Sequence, residues 1–86
     1  MEETKDRHRR YLRAVNSPVR RSILRAIKNG NHTVKALSSI MGLDPKTLEW
    51  HLKLLEYGFC VEREQGKDGD IFRLTKEGLV VDYIDK

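Results

Sequence analysis

Cysteine is nearly absent. Cys60 stands alone, which excludes an internal disulfide and any zinc site built from several cysteines. Long apolar runs are missing as well, and none approaches the ~20 residues a membrane span needs. The charged N-terminal stretch lacks the apolar segment of a signal peptide, so a cytoplasmic protein with no membrane partner is expected. There is no internal repeat, low-complexity tract or Pro/Gly-rich linker, and the chain reads as one folding unit. No nucleophile lies beside a histidine base, no glycine-rich phosphate loop occurs, and no ligands are paired at metal spacing. Neither an enzyme nor a bound metal or cofactor is expected.

What is present suits a small globular domain. Of 86 residues, 35% are charged and 38% apolar, a balance that supports one compact core. The net charge is +4 and the isoelectric point about 9.4, which favours a polyanionic partner. The excess is uneven: residues 1–30 hold nine Lys/Arg against three acids, whereas residues 59–86 hold five against seven.

Four helices are expected, over about 4–15, 18–29, 33–41 and 45–57. The first carries Tyr11, Leu12 and Val15 in an otherwise charged stretch. In "NSPVRRSILRAIKNG", Ser17 is an N-cap and Pro18 falls at the first helical position, where its missing N–H is not needed. Val19, Ile23, Ala26 and Ile27 recur at helical spacing, and Gly30 suits a left-handed C-terminal cap. Thr33 caps a short third helix with Val34, Leu37, Ile40 and Met41 on its apolar side, and Asp44–Pro45 repeats the cap-and-proline start. Gly58 is read as the stop of the fourth helix. Two helices joined by a short Gly-containing turn have the sequence shape of a helix-turn-helix. Strands at about 59–65 and 70–75 follow, separated by "GKDG", and a C-terminal helix at about 76–85 is capped by Thr75. A two-stranded sheet is marginal alone, so Phe59, Val61, Phe72 and Leu74 must pack on the helices. The expected fold is mainly α with a small β-hairpin, a winged helix-turn-helix.

The fourth helix has a surplus. Advancing about 100 degrees per residue from Leu48 places Leu52 and Leu55 within about 40 degrees of it, with His51 on the shoulder. Lys46, Trp50, Lys53 and Tyr57 fall between about 140 and 200 degrees, opposite that core face. In a helix-turn-helix the second helix reaches the floor of the DNA major groove. Lys46 and Lys53 could then meet phosphate or guanine edges, Thr47 a base or phosphate, Trp50 a sugar or thymine methyl, and Glu49 a cytosine amino group. Thr33 and Lys35 start the first helix of the pair, where an anion is favoured. Arg63 and Lys67 belong to the hairpin, where they could touch the backbone or minor groove. Each has a plainer reading: Trp50 packed on a neighbouring helix or a second copy, the lysines as ordinary surface charges, and His51 as a packing or capping residue. The "RHRR" and "VRR" segments are open between a solvated face, flanking phosphate contacts and partners for the acidic C-terminal third.

The run "TVKALSSIMGLDPKTLEWHLKLLEYGFCVEREQGKDGDIFRLTKEG", with "TLEWHLKLLEYG" at its centre, resembles the winged-helix domain of ArsR-type transcription regulators, and the likeness spans roughly residues 12–80. "SPVRRSILRAI" is similar to that family's preceding helix. The resemblance implies a sequence-specific regulator that binds double-stranded DNA, usually as a homodimer joined through its terminal helices. Here those helices offer Tyr11, Leu12, Val15, Leu79, Val80, Tyr83 and Ile84 as the dimer interface. The founding members' metal-sensing cysteine motif is missing, so metal sensing is not expected. The rival reading is a winged helix that docks protein, or RNA, through Trp50, Tyr57 and the acidic wing.

Overall fold

The computed structural model describes residues 2–67 and 69–79. Five helices and one hairpin follow in order: α1 Glu2–Val15, α2 Pro18–Lys28, α3 Val34–Met41, α4 Pro45–Tyr57, β1 Val61–Gly66, β2 Gly69–Leu74 and α5 Lys76–Leu79. The strands pair antiparallel, from Val61 opposite Leu74 to Gly66 opposite Gly69. Of the expected C-terminal helix, Val80, Tyr83 and Ile84 lie outside the described residues. None of the described helices is long and apolar enough to cross a membrane.

The helix starts follow their caps. The side chains of Ser17, Thr33 and Asp44 accept hydrogen bonds from the N–H groups of Arg20, Ala36 and Lys46. Thr75 does the same for Gly78 at 3.1 Å. At the end of α2, Gly30 takes a φ of 104°, as its placement suggested. The N–H groups of Gly30 and Asn31 bond back to Ile27 and Ala26, closing the helix with a Schellman turn.

The end of α4 differs from the sequence expectation. Its positive-φ residue is Phe59 (φ 65°), not Gly58 (φ −88°). Phe59 N–H bonds to Glu56 and Cys60 N–H to Leu55, the same Schellman pattern. Two residues expected in the first strand are therefore used in the turn, and β1 begins at Val61. Phe59 is held there by the Arg7 guanidinium, 3.9 Å from the centre of its ring. Gly58 serves a close approach instead: a Cβ at this position would overlap that of Ala14 and lie 2.7 Å from the Arg10 carbonyl oxygen. Gly58→Ala is expected to force α1 off α4 and lower stability by about 1–3 kcal/mol, read as a fall in the urea midpoint.

The core gathers Ile23, Leu24 and Ile27 of α2, Leu37 of α3, Leu48, Leu52 and Leu55 of α4, and Val61 and Phe72 of the hairpin. Phe72 ties the wing to the helices twice. Its N–H donates to the His32 carbonyl at 2.7 Å, and its own carbonyl accepts from His32 Nδ1 at 3.0 Å. On α3, Val34 and Met41 pack beside Leu37, so Ile40, expected on the apolar side, is instead 61% exposed. Val19, expected on the apolar side of α2, is also exposed.

Arg7, Arg20 and Arg21 of the arginine-rich segments make contacts within the protein. Arg20 Nε and Nη2 donate to the carbonyls of Ala14 and Arg13, and Arg21 Nη1 donates to that of Val15. Three carbonyls left open at the C-terminus of α1 are thus satisfied by cations, the favoured charge at that end. Arg7 reaches Glu77 at 2.7 Å, which binds α1 to α5.

Candidate nucleic-acid interface

Helix α3, the three-residue turn 42–44 and α4 form the helix-turn-helix. In the turn, Gly42 adopts the left-handed conformation (φ 67°), and Ser38 Oγ donates to the Leu43 carbonyl at 2.6 Å. Helix α4 divides as the sequence predicted. Leu48, Leu52 and Leu55 are fully buried, and Lys46, Thr47, Glu49, Trp50, Lys53 and Tyr57 are all exposed. The buried leucines hold the helix, and the core makes no use of Lys46, Trp50 or Lys53 in the outer stripe.

Within that stripe the aromatics differ. Tyr57 lies under the Arg10 guanidinium, 4.5 Å from its ring centre, and belongs to the seam between α1 and α4. Trp50 is 56% exposed and meets the His51 ring edge-on at 4.9 Å. His51 is half-buried and its Nδ1 lies 3.3 Å from Arg20 Nη1. Burial, and then the adjacent guanidinium, push the His51 pKa below the ordinary histidine range.

At the first helix of the pair, the Thr33 hydroxyl is engaged as a cap at 3.0 Å from Ala36 N, whereas Lys35 is exposed. Lys67 is exposed at the hairpin tip between Gly66 and Gly69. Arg63 is engaged within the hairpin. Its Nη1 pairs with Asp70 at 2.8 Å, its Nε lies 3.6 Å from Glu56, and its guanidinium covers the Phe72 ring at 4.8 Å. The register places Asp70 diagonally across the hairpin, where a long side chain reaches it easily. The charge of Arg63 is thus partnered within the hairpin, whereas that of Lys67 is exposed at its tip.

The terminal-helix residues also separate. Leu12 and Leu79 are about half exposed (47% and 46%), and Tyr11 is half-buried against the core. Val15, expected at a dimer interface, is only 6% exposed. The bonds from Arg20 and Arg21 draw the last turn of α1 onto α2, and Val15 enters the core of the single chain.

Cys60 is completely buried, and its thiol pKa is pushed up to about 12 by burial, with Glu77 adding to it. The described residues bring no three His, Cys, Asp or Glu side chains together as a metal site. Because the thiolate is the reactive form, Cys60 should resist thiol reagents at neutral pH in the folded protein. Its labelling rate should rise only with the unfolded population as urea is added, which a timed alkylation series would measure.

A helix-turn-helix followed at once by a hairpin that packs back on the helices defines a winged helix-turn-helix. A family model described as a helix-turn-helix domain matches residues 16–62, over half the chain, and the chain belongs to that family. Solved structures carry the same fold. The homodimeric winged helix-turn-helix DNA-binding domain of Mb0332 from Mycobacterium bovis, a possible ArsR-family transcriptional regulator, superposes with a TM-score of 0.87 at 20% identity. The match covers 98% of this chain and 80% of that one. HlyU from Vibrio cholerae gives 0.79 at 22% identity, covering 98% and 94%. The transcriptional repressor BigR from Xylella fastidiosa gives 0.76 at 24% identity, covering 98% and 88%. At these identities the likeness is one of fold. A search of curated protein sequences finds no match.

Proposed function

We propose that this chain is a sequence-specific transcription regulator that binds double-stranded DNA as a homodimer, with α4 in the major groove and the hairpin tip beside the backbone. The observation that carries this reading is the outer stripe of α4. Lys46, Thr47, Trp50 and Lys53 are exposed together on the second helix of a helix-turn-helix, and none of them is needed by the core. Lys46 and Lys53 supply cations for phosphates or guanine edges, and Trp50 a large apolar surface for sugar or thymine methyl. Glu49 limits where acceptors can approach. Lys35 and Lys67 stand on flanking elements, within the same strategy of backbone contact.

The dimer is assigned to α1 and α5 through Leu12, Tyr11 and Leu79. Leu12 and Tyr11 border a groove between α1 and α2 that Arg13, Val15, Asn16 and Arg21 complete. The homodimeric state of the Mb0332 domain supports a dimer, without bearing on which helices join it. Anisotropy titration of a labelled random duplex in low salt, with sedimentation equilibrium of the protein alone, tests both parts. Binding that weakens steeply with salt and a dimer mass are expected. No duplex binding in low salt would refute the DNA assignment, and a monomer at high concentration would refute the dimer.

A further inference from the structure

Arg20 is the one charged side chain in the described core, 9% exposed, and its guanidinium joins three helices. Nε and Nη2 hold the C-terminal carbonyls of α1 (Ala14 at 2.8 Å, Arg13 at 3.0 Å), while Nη1 lies 3.3 Å from His51 Nδ1 on α4. Arginine only donates and stays cationic, so Nδ1 must be the unprotonated ring nitrogen and the proton of neutral His51 sits on Nε2. The ring so fixed is the surface that Trp50 meets edge-on, at 4.9 Å and 64° between planes. Arg20 itself stands 6.0 Å from the centre of the Trp50 ring. An exposed indole on a helix has several rotamers open to it, and here one flank is closed by an imidazole that is itself pinned from behind.

We propose that Arg20 and His51 are positioning residues: the hydrogen bond between them fixes the imidazole, and the imidazole sets the angle at which Trp50 is presented on the outer face of α4. The consequence for DNA rests on the function proposed above, but the positioning is a property of the free protein. It also makes presentation of Trp50 sensitive to acid. A proton on Nδ1 turns the acceptor into a donor and sets an imidazolium against a guanidinium that cannot release its own charge. The charged groups facing the ring from packed elements are Arg20 on α2 and, behind it, Arg13 on α1, whose charge acts on Arg20. Both are cations, so nothing in this cluster favours the protonated ring. The direction of the His51 shift agrees with this. The unfolded chain takes up this proton more readily than the folded one. The stabilisation is therefore complete above the ordinary histidine range and is lost as pH falls through the lowered folded value.

Trp50 is the only tryptophan, so its emission reports this contact without a label. In the full chain without DNA, protonation of the adjoining imidazole should quench the indole in one step centred below about pH 6.5. Arg20→Gln, checked for retained helicity, should move that midpoint upward, because the repelling cation and the bond that requires a bare Nδ1 are both gone. An unchanged midpoint, or a wild-type protein with no step, would overturn the proposal. In the presence of duplex at about pH 7.5, His51→Ala should weaken binding roughly tenfold, the scale of a lost hydrogen bond with its packing. His51→Asn, whose Oδ1 replaces Nδ1 as acceptor for Arg20, should restore affinity to within about threefold. Equal losses in the two variants would also contradict the positioning role. A protein that binds no duplex at any pH refutes the DNA assignment alone, since the emission titrations still decide whether Arg20 and His51 govern Trp50.

Discussion

Phe72→Ala is expected to remove about 3–5 kcal/mol of stability, the range for truncating a fully buried aromatic. The ring is completely buried, at the point where the hairpin meets the helices. Two backbone-centred bonds to His32 fix the residue, and Arg63 covers one face of the ring. A smaller side chain would leave a cavity under the wing that neither strand can fill, because those bonds hold the register. A domain of this size has only about 5–15 kcal/mol in total, so the variant should be barely folded at 37 °C. In urea its midpoint should fall by roughly 1.5 M or more. Lys67→Ala, at the exposed hairpin tip, should change stability by less than about 0.5 kcal/mol.

Replacing Lys46 and Lys53 together by glutamine should leave the fold intact and change the salt dependence of duplex binding. Both side chains are exposed and neither contributes to the core. If each neutralises one phosphate, the slope of log K against log salt should become shallower by about 1.8, or 0.9 per contact. Trp50→Ala should behave differently. It removes apolar contact and no charge, so affinity for a preferred site should fall by about 1–3 kcal/mol while the slope stays as it was. The contrast separates positioning on the backbone from reading of the bases. Loss of both affinity and slope in Trp50→Ala would mean that the indole holds up the lysines and makes no contact of its own.

Much of the fold was legible because its determinants are local. Ser17–Pro18 and Asp44–Pro45 mark helix starts through their own side chains, and Gly30 marks an end through its own φ. The three leucines of α4 announce their face by spacing alone. What escaped depends on contacts across the chain. Gly58 resembles Gly30 in sequence, yet it answers the approach of α1, and the left-handed residue is its neighbour Phe59 under Arg7. Val15 looked like part of an unpartnered stripe because nothing local reveals that Arg20 and Arg21 pull its turn onto α2. Nothing local reveals that the hairpin register sets Asp70 diagonally across from Arg63 and pairs the two. Arg20 itself was read only as part of a basic segment. The missed signal was that an arginine two residues after a cap and proline sits where the preceding helix leaves its carbonyls open. In the candidate site, the outer stripe of α4 was legible from the wheel, whereas the Arg20–His51–Trp50 contact required the packing of three helices.

If the outer face of α4 reads DNA sequence, duplexes bound from a random pool will be enriched for a preferred site. A palindromic consensus is predicted, its half-sites about one helical turn apart, as a two-fold symmetric pair of winged helices requires. The same enrichment with Trp50→Ala should lose discrimination at one position in each half-site. A pool that shows no enrichment in low salt, or the same consensus with and without Trp50, would mean that this face of α4 does not read sequence.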